Sequence, residues 1–169
     1  MADNQEIKKW KDFWNLRASA ISNNFELVRG TSYKLDVKSE HLLNRKCFSA
    51  LKKRTGILLD IGCGIGGNLL KVMPLGSFKF AVGVDISCKM LIRASSKSTS
   101  YKIFYCGASA TELPIKEGTV SSLICISVLQ YIPDDKIMET FQELNRQGQT
   151  IIVVTHDPEV ANCANIIYV

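Results

Sequence analysis

The residues best suited to chemistry fall close together. Asp60 stands two residues ahead of the run Gly62-Cys63-Gly64-Ile65-Gly66-Gly67, and Asp85 ends the next apolar segment. Glycines let the backbone turn sharply and come close to a ligand, and a helix opening from such a turn points its N–H groups at that ligand. A carboxylate where Asp85 stands suits the two hydroxyls of a ribose. The run also fits the G-x-G-x-x-G spacing, which alone does not separate one nucleoside cofactor from another. Asp60 tips the choice. A carboxylate beside the turn suits an ammonium or sulfonium cation and repels a pyrophosphate. A purely structural turn is the alternative.

These residues must be held at strand ends, and the pattern supplies the strands. Short apolar runs over 57–61, 80–86, 103–106, 123–128 and 151–154 predict five strands. Helices are predicted over 68–73 (limited by Pro74), over 88–96 (capped by Ser87), and from Pro133 through Met138, Phe141 and Leu144 to Gly148. A short helix over 158–164 and a last strand over 166–169 follow. Ahead of them, Trp10, Phe13, Trp14, Arg17, Ala18 and Ile21 recur at helical spacing. A second helical pattern through Leu42, Leu43, Cys47, Phe48 and Leu51 stops at Lys52-Lys53-Arg54 before Gly56. Near-continuous apolar strands alternating with helices predict an α/β fold, a doubly wound and mostly parallel sheet with N-terminal helices. Its ligand sites lie beyond the strands' carboxyl ends.

From residue 57 to about 135 the chain resembles the class I S-adenosylmethionine-dependent methyltransferases, near the broad type 11 group. The matching residues are Leu58-Leu59-Asp60-Ile61-Gly62-Cys63-Gly64-Ile65-Gly66, Val82-Gly83-Val84-Asp85-Ile86-Ser87, Ala110-Thr111-Glu112-Leu113-Pro114-Ile115 and Ile126-Ser127-Val128-Leu129-Gln130-Tyr131-Ile132-Pro133-Asp134. The resemblance implies a Rossmann-like methyltransferase fold with S-adenosyl-L-methionine as cofactor. It implies that Asp60 with Gly62, Cys63 and Gly64 holds the methionine part, that Asp85 holds the ribose, and that Ile86 packs on the adenine. Ser109, Ala110 and Thr111 would line the adenine, with Ser127 and Val128 beneath the sulfonium and adenosine. The chain departs from the family pattern at three places: Ser109 and Ser121 stand where Asp is usual, and Gln130-Tyr131 where His is frequent.

The last part resembles a different family. The stretch from Glu143 through Thr155-His156-Asp157 to Ala161, and more loosely residues 140–169, is similar to the end of an ABC-transporter ATPase of the lipoprotein-release and macrolide-export group. That resemblance implies a histidine, His156, presented to a nucleotide γ-phosphate. No G-x-x-x-x-G-K-[ST] loop accompanies it, so ATPase chemistry is not expected. The chain therefore reads as a fusion joined between Pro133 and Gln147. Its parts are an N-terminal helical cap (1–55), a cofactor-binding core (56–147) and an ABC-like tail (148–169). Such a tail adds a fifth strand but omits the family's last helix and antiparallel pair, so a truncated sheet with an exposed edge is expected.

Composition bounds the rest. The 169 residues, 46% hydrophobic and 22% charged, suit one globular domain. No apolar run is long enough to span a bilayer, and acids and lysines fill the place of a signal peptide's apolar core, so a cytoplasmic protein without a membrane partner is expected. The six cysteines form no Cys-x-x-Cys pair, and no metal site is expected. Residues 1–55 hold 12 Lys/Arg against 6 Asp/Glu, a balance that would suit an anionic acceptor or nucleic acid, or merely a solvated helical surface.

Methyl transfer needs a base only if the nucleophile arrives protonated. Tyr131 and His41 are the candidates, against roles in packing and on a surface helix. The Trp10/Phe13/Trp14 stripe is either a lid or a docking face. The expected function is methyl transfer to an unidentified acceptor, a small molecule or one of unknown kind. The alternatives are a non-catalytic remnant that still binds cofactor, and a nicotinamide-dependent oxidoreductase.

Overall fold

The structure, a computed structural model, describes residues 2–20, 47–116, 118–132 and 134–154. A long helix, α1 (Ala2–Ala20), comes first. Then follow β1 (Thr55–Ile61), α2 (Gly67–Val72), β2 (Ser77–Asp85), α3 (Cys88–Lys97), β3 (Ile103–Gly107), β4 (Ser122–Ile126), a 3-10 turn (Leu129–Tyr131), α4 (Asp134–Arg146) and β5 (Thr150–Val154). The strands form one parallel sheet in the order β3-β2-β1-β4-β5. The doubly wound parallel sheet expected from the sequence is therefore the observed one.

Central strands are buried on both faces, which is why β1 and β4 read as continuous apolar runs rather than alternating ones. On one face Leu58, Ala81 and Ile124 pack with Phe48 and Leu51 before β1, Leu69 and Val72 of α2, and Leu91 of α3. On the other, Leu59, Ile61, Leu123 and Cys125 pack with Leu129 and with Phe141 of α4. Ser87 caps α3 as predicted, its hydroxyl accepting the Met90 N–H at 3.2 Å.

Two expectations are corrected. Ser127 and Val128, expected in the fourth strand, lie beyond its end at Ile126, and Ser127 takes a left-handed φ of 59° that no strand residue adopts. β2 begins at Ser77, earlier than its apolar run, because the outer half of the strand alternates exposed and buried residues. Ser121 stands at the start of β4 as expected, at the sheet's amino edge, its hydroxyl within reach of the Thr55 (2.5 Å) and Ile57 (2.9 Å) carbonyls. An aspartate there would face two carbonyl oxygens, so the serine is explained by strand pairing. The predicted helix over 158–164, the strand over 166–169, His41 and His156 lie outside the described residues.

Within the described residues β5 is an edge strand. Its Ile151 and Val153 pack on the Leu129/Phe141 side and its Ile152 on the Phe48 side. Ending the chain at Gln147 removes these side chains and bares β4, whose Leu123, Ile124 and Cys125 are fully buried. The β5 side chains are half-buried, so each contributes only part of the roughly 1.5–3 kcal/mol of a fully buried Ile or Val, and baring β4 adds to that loss, against a domain's whole stability of about 5–15 kcal/mol. The 1–147 fragment is expected to be insoluble or to melt without cooperativity. A soluble fragment with a sharp calorimetric transition would show β5 to be dispensable.

Candidate functional site

The carboxyl ends of β1 and β2 build one corner. Asp60 is fully buried near the end of β1, beside Gly83 of β2 and Ile124 of β4, and neither carboxylate oxygen has a hydrogen-bond partner among the described residues. Burial, with the neighbouring Asp85 charge second, holds its carboxyl well above the usual carboxylate range. A buried acid without a protein partner is costly, and its two free oxygens have the chemistry to accept from a cationic group.

The glycine run turns directly after β1. Cys63 N–H donates to Val84 O at 3.0 Å, and Gly66 N–H to Cys63 O at 2.9 Å. Two glycines have distinct reasons. Gly62 (φ 67°) lies so close to Val128 that a Cβ would overlap its methyl groups. Gly64 (φ 53°) faces open space, with no atom within 4 Å of the place a Cβ would take. The left-handed φ favours glycine there, and the open space beside it leaves room for a ligand to come close to the backbone. The Cys63 thiol between them is buried, and burial, then Asp60 and Asp85, push its pKa far up, so it stays protonated.

Asp85 ties the two strand ends together. Its Oδ2 accepts the Gly64 N–H and its Oδ1 the Ser87 N–H, both at 2.8 Å. Burial raises its pKa while these two bonds pull it down. The turn after β3 hangs on the same residue: Ala108 N–H donates to the Asp85 carbonyl at 3.2 Å. Beyond it Ser109 and Thr111 share a hydroxyl hydrogen bond of 2.9 Å, and the Thr111 N–H donates to Ser109 Oγ at 3.3 Å. Ile86, Ser109, Ala110 and Thr111 are all half-buried. Ser127 is exposed, its N–H 3.4 Å from Val154 O.

The α1 helix lies against this corner. Its Ala18 and Trp14 pack with Ile65 of the glycine run and Met90 of α3. Farther along, Trp10 and Trp14 set their rings edge-on to Tyr131, at centroid distances of 4.6 and 5.4 Å, and Phe13 stands edge-on to both tryptophans. The aromatic stripe thus docks, and it docks at the ligand end. The sequence gives no sign of Asn15, whose Oδ1 accepts a 2.8 Å bond from Ser87 Oγ. A lone polar residue on a helix has no pattern that reveals a partner far along the chain.

A separate cavity of about 310 Å³ lies away from this corner, where Leu113, Ile115 and Val120 of the segment before β4 meet Leu144 of α4. Among the described residues no three His, Cys, Asp or Glu side chains are grouped to hold a metal, and no helix is long and apolar enough to cross a membrane.

Comparison with known proteins agrees with this architecture. A family model described as a methyltransferase domain matches residues 58–148. An uncharacterized protein of Methanocaldococcus jannaschii is 28% identical over 155 residues, 90% of this chain and 62% of that one. Among solved structures, phosphoethanolamine N-methyltransferase 1 of Haemonchus contortus, in complex with phosphoethanolamine and S-adenosylhomocysteine, superposes with a TM-score of 0.70. It is 17% identical and covers 89% of this chain and 31% of that one, a likeness of fold alone. The ABC-like resemblance is confined to a short segment: an uncharacterized ABC transporter ATP-binding protein of Bacillus subtilis is 55% identical over 31 residues, 18% of this chain and 14% of that one. The chain spans less than two thirds of the curated relatives it matches.

Proposed function

The chain belongs to the methyltransferase-domain family, and we propose that it holds S-adenosylmethionine at the β1–β2 corner and transfers its methyl group to a small-molecule acceptor. The observation that carries this reading is the pair of buried, unpartnered oxygens of Asp60, which fit the ammonium of the methionine part. The open face of Gly64 gives the ligand room to approach the backbone.

The chain's own residues have these parts. Asp60 binds the ammonium, and Gly62, Cys63 and Gly64 present backbone beside it. Each Asp85 oxygen accepts one N–H and keeps a second lone pair for a ribose hydroxyl. Ile86 packs on the adenine, Ser109, Ala110 and Thr111 line its edge, and Ser127 and Val128 lie beneath. The bound cofactor supplies an electrophilic methyl group for in-line displacement, and the protein supplies proximity and orientation. Tyr131, enclosed by Trp10 and Trp14, is a wall of the acceptor space. His41 remains the candidate base for an acceptor that arrives protonated.

Calorimetry decides between cofactors. S-adenosylhomocysteine is expected to bind and NAD is not; the reverse would favour the oxidoreductase reading. Asp85→Ala is expected to weaken S-adenosylhomocysteine by about 1.5–3 kcal/mol, the scale of hydrogen bonds to a charged group. Asp85→Asn keeps only one of the two acceptors that Gly64 and Ser87 need, so it falls between wild type and Asp85→Ala. An unchanged dissociation constant in Asp85→Ala would place the ribose elsewhere. Cofactor binding without turnover across a panel of acceptors would support the non-catalytic remnant.

A further inference from the structure

We propose that Asn15 couples the docking of α1 to cofactor binding, acting as a positioning residue for Asp85 through Ser87; this rests on the cofactor reading above. Asn15 Oδ1 accepts from Ser87 Oγ at 2.8 Å and lies 3.4 Å from the Lys89 N–H. Ser87 Oγ in turn accepts the Met90 N–H at 3.2 Å. Asn15 thus extends the cap of α3 from outside, reaching donors in the first turn that the helix itself leaves unpaired. The same Ser87 donates its N–H to Asp85 Oδ1, while Asp85 Oδ2 takes the Gly64 N–H. One chain of hydrogen bonds therefore runs from α1 through the Ser87 turn to the carboxylate assigned to the ribose and on to Gly64.

Other contacts make the docking a unit. Lys89 Nζ donates to Ser19 Oγ at 2.8 Å, and Arg93 donates to the Ala18 carbonyl at 2.9 Å. Trp14 and Ala18 cover Ile65 inside the glycine run. Ser87 is fully buried while α1 is docked, so in that state its hydroxyl relies on Asn15 rather than on water. Releasing α1 therefore frees the Ser87 turn, and with it one of the two N–H groups that orient Asp85. By reciprocity, whatever fixes Asp85 favours docked α1.

The chain carries its own reporter. Its two tryptophans, Trp10 and Trp14, both lie on α1, so fluorescence excited selectively at tryptophan reads α1. Titrating the wild-type chain with S-adenosylhomocysteine is expected to shield the tryptophans from acrylamide, with a midpoint equal to the calorimetric dissociation constant. Asn15→Ala is expected to raise acrylamide quenching of the free protein and to weaken S-adenosylhomocysteine about fivefold, as expected for one hydrogen bond. Asn15→Asp keeps the acceptor and places a negative charge at the α3 N-terminus, so it is expected to restore both readouts to within about twofold. Binding that leaves quenching unchanged, or Asn15→Ala with wild-type affinity and quenching, overturns the coupling and leaves the cofactor reading standing. Should Asn15→Ala not fold, the wild-type titration decides alone. No calorimetric response in the wild-type chain sinks both.

Discussion

Asp60→Asn is expected to make the ligand-free protein more stable and nearly unable to bind its cofactor. The carboxylate is fully buried without a partner, so the free protein bears a desolvation penalty of about 1–3 kcal/mol or more that a neutral amide lessens. Its melting temperature should rise by a few degrees, at about 2–4 °C per kcal/mol for a chain of this size. Binding moves the other way. Removing the charge that faces an ammonium costs about 3 kcal/mol or more, roughly two orders of magnitude in affinity for S-adenosylhomocysteine.

The same residue fixes the sign of the pH dependence. Asp60 and Asp85 both have raised pKa values. The folded chain therefore keeps protons that the unfolded chain has already lost, and stability falls as pH rises from the unfolded carboxyl value towards the raised folded one. Cation binding needs the ionised acid, so affinity rises across that window and a proton is released. Melts at about pH 4 and pH 8, with calorimetry in buffers of different ionisation enthalpy, measure both. A destabilised Asp60→Asn that still binds tightly would show the acid to be structural.

Gly62→Ala and Gly64→Ala are expected to fail in different ways, although the sequence presents the two residues as equivalent. At Gly62 an added methyl overlaps Val128, and the left-handed φ of 67° adds to the strain. Overpacking costs about 1–3 kcal/mol and the backbone about 1–2 kcal/mol, together a large part of a domain's stability. The variant should lose solubility or melt far below wild type. At Gly64 only the backbone strain applies, because nothing stands near the new methyl group. That variant should fold with a modest loss and bind S-adenosylhomocysteine at least tenfold more weakly, as the methyl group occupies the ligand's side. Differential scanning calorimetry separates the pair. Normal affinity in folded Gly64→Ala would mean that the ligand lies on another face.

The sheet is readable because its central strands, β1 and β4, are buried on both faces. Leu58-Leu59-Asp60-Ile61 and Leu123-Ile124-Cys125 are short, near-continuous apolar runs of strand length, and Ser87 with its partner Met90 marks a helix start within four residues. Local signals of that kind survive in one dimension. Ser127 and Val128 read as strand because the apolar run before them continues into Val128, and nothing in that local pattern marks the left-handed turn at Ser127. Ser121 was read against a family's aspartate, and its true partners, the Thr55 and Ile57 carbonyls, are contacts no local pattern records. The acids and glycines of the corner were legible by spacing. Asn15 was not, because its meaning lies in a hydrogen bond to Ser87, 72 residues away.

The sheet order also dictates when the corner can exist. β1 lies at the centre of the sheet, yet one of its two neighbours, β4, comes late: Ser121, which ties the start of β4 to Thr55, is 66 residues downstream. Closing so long a loop costs entropy before its contacts give anything back. A chain still emerging from the ribosome and not yet extended to Val128 holds Asp60, the glycine run and Asp85, but has no wall behind Gly62 to set the turn. During synthesis the motif is complete well before the second half of the sheet arrives to close the corner around it.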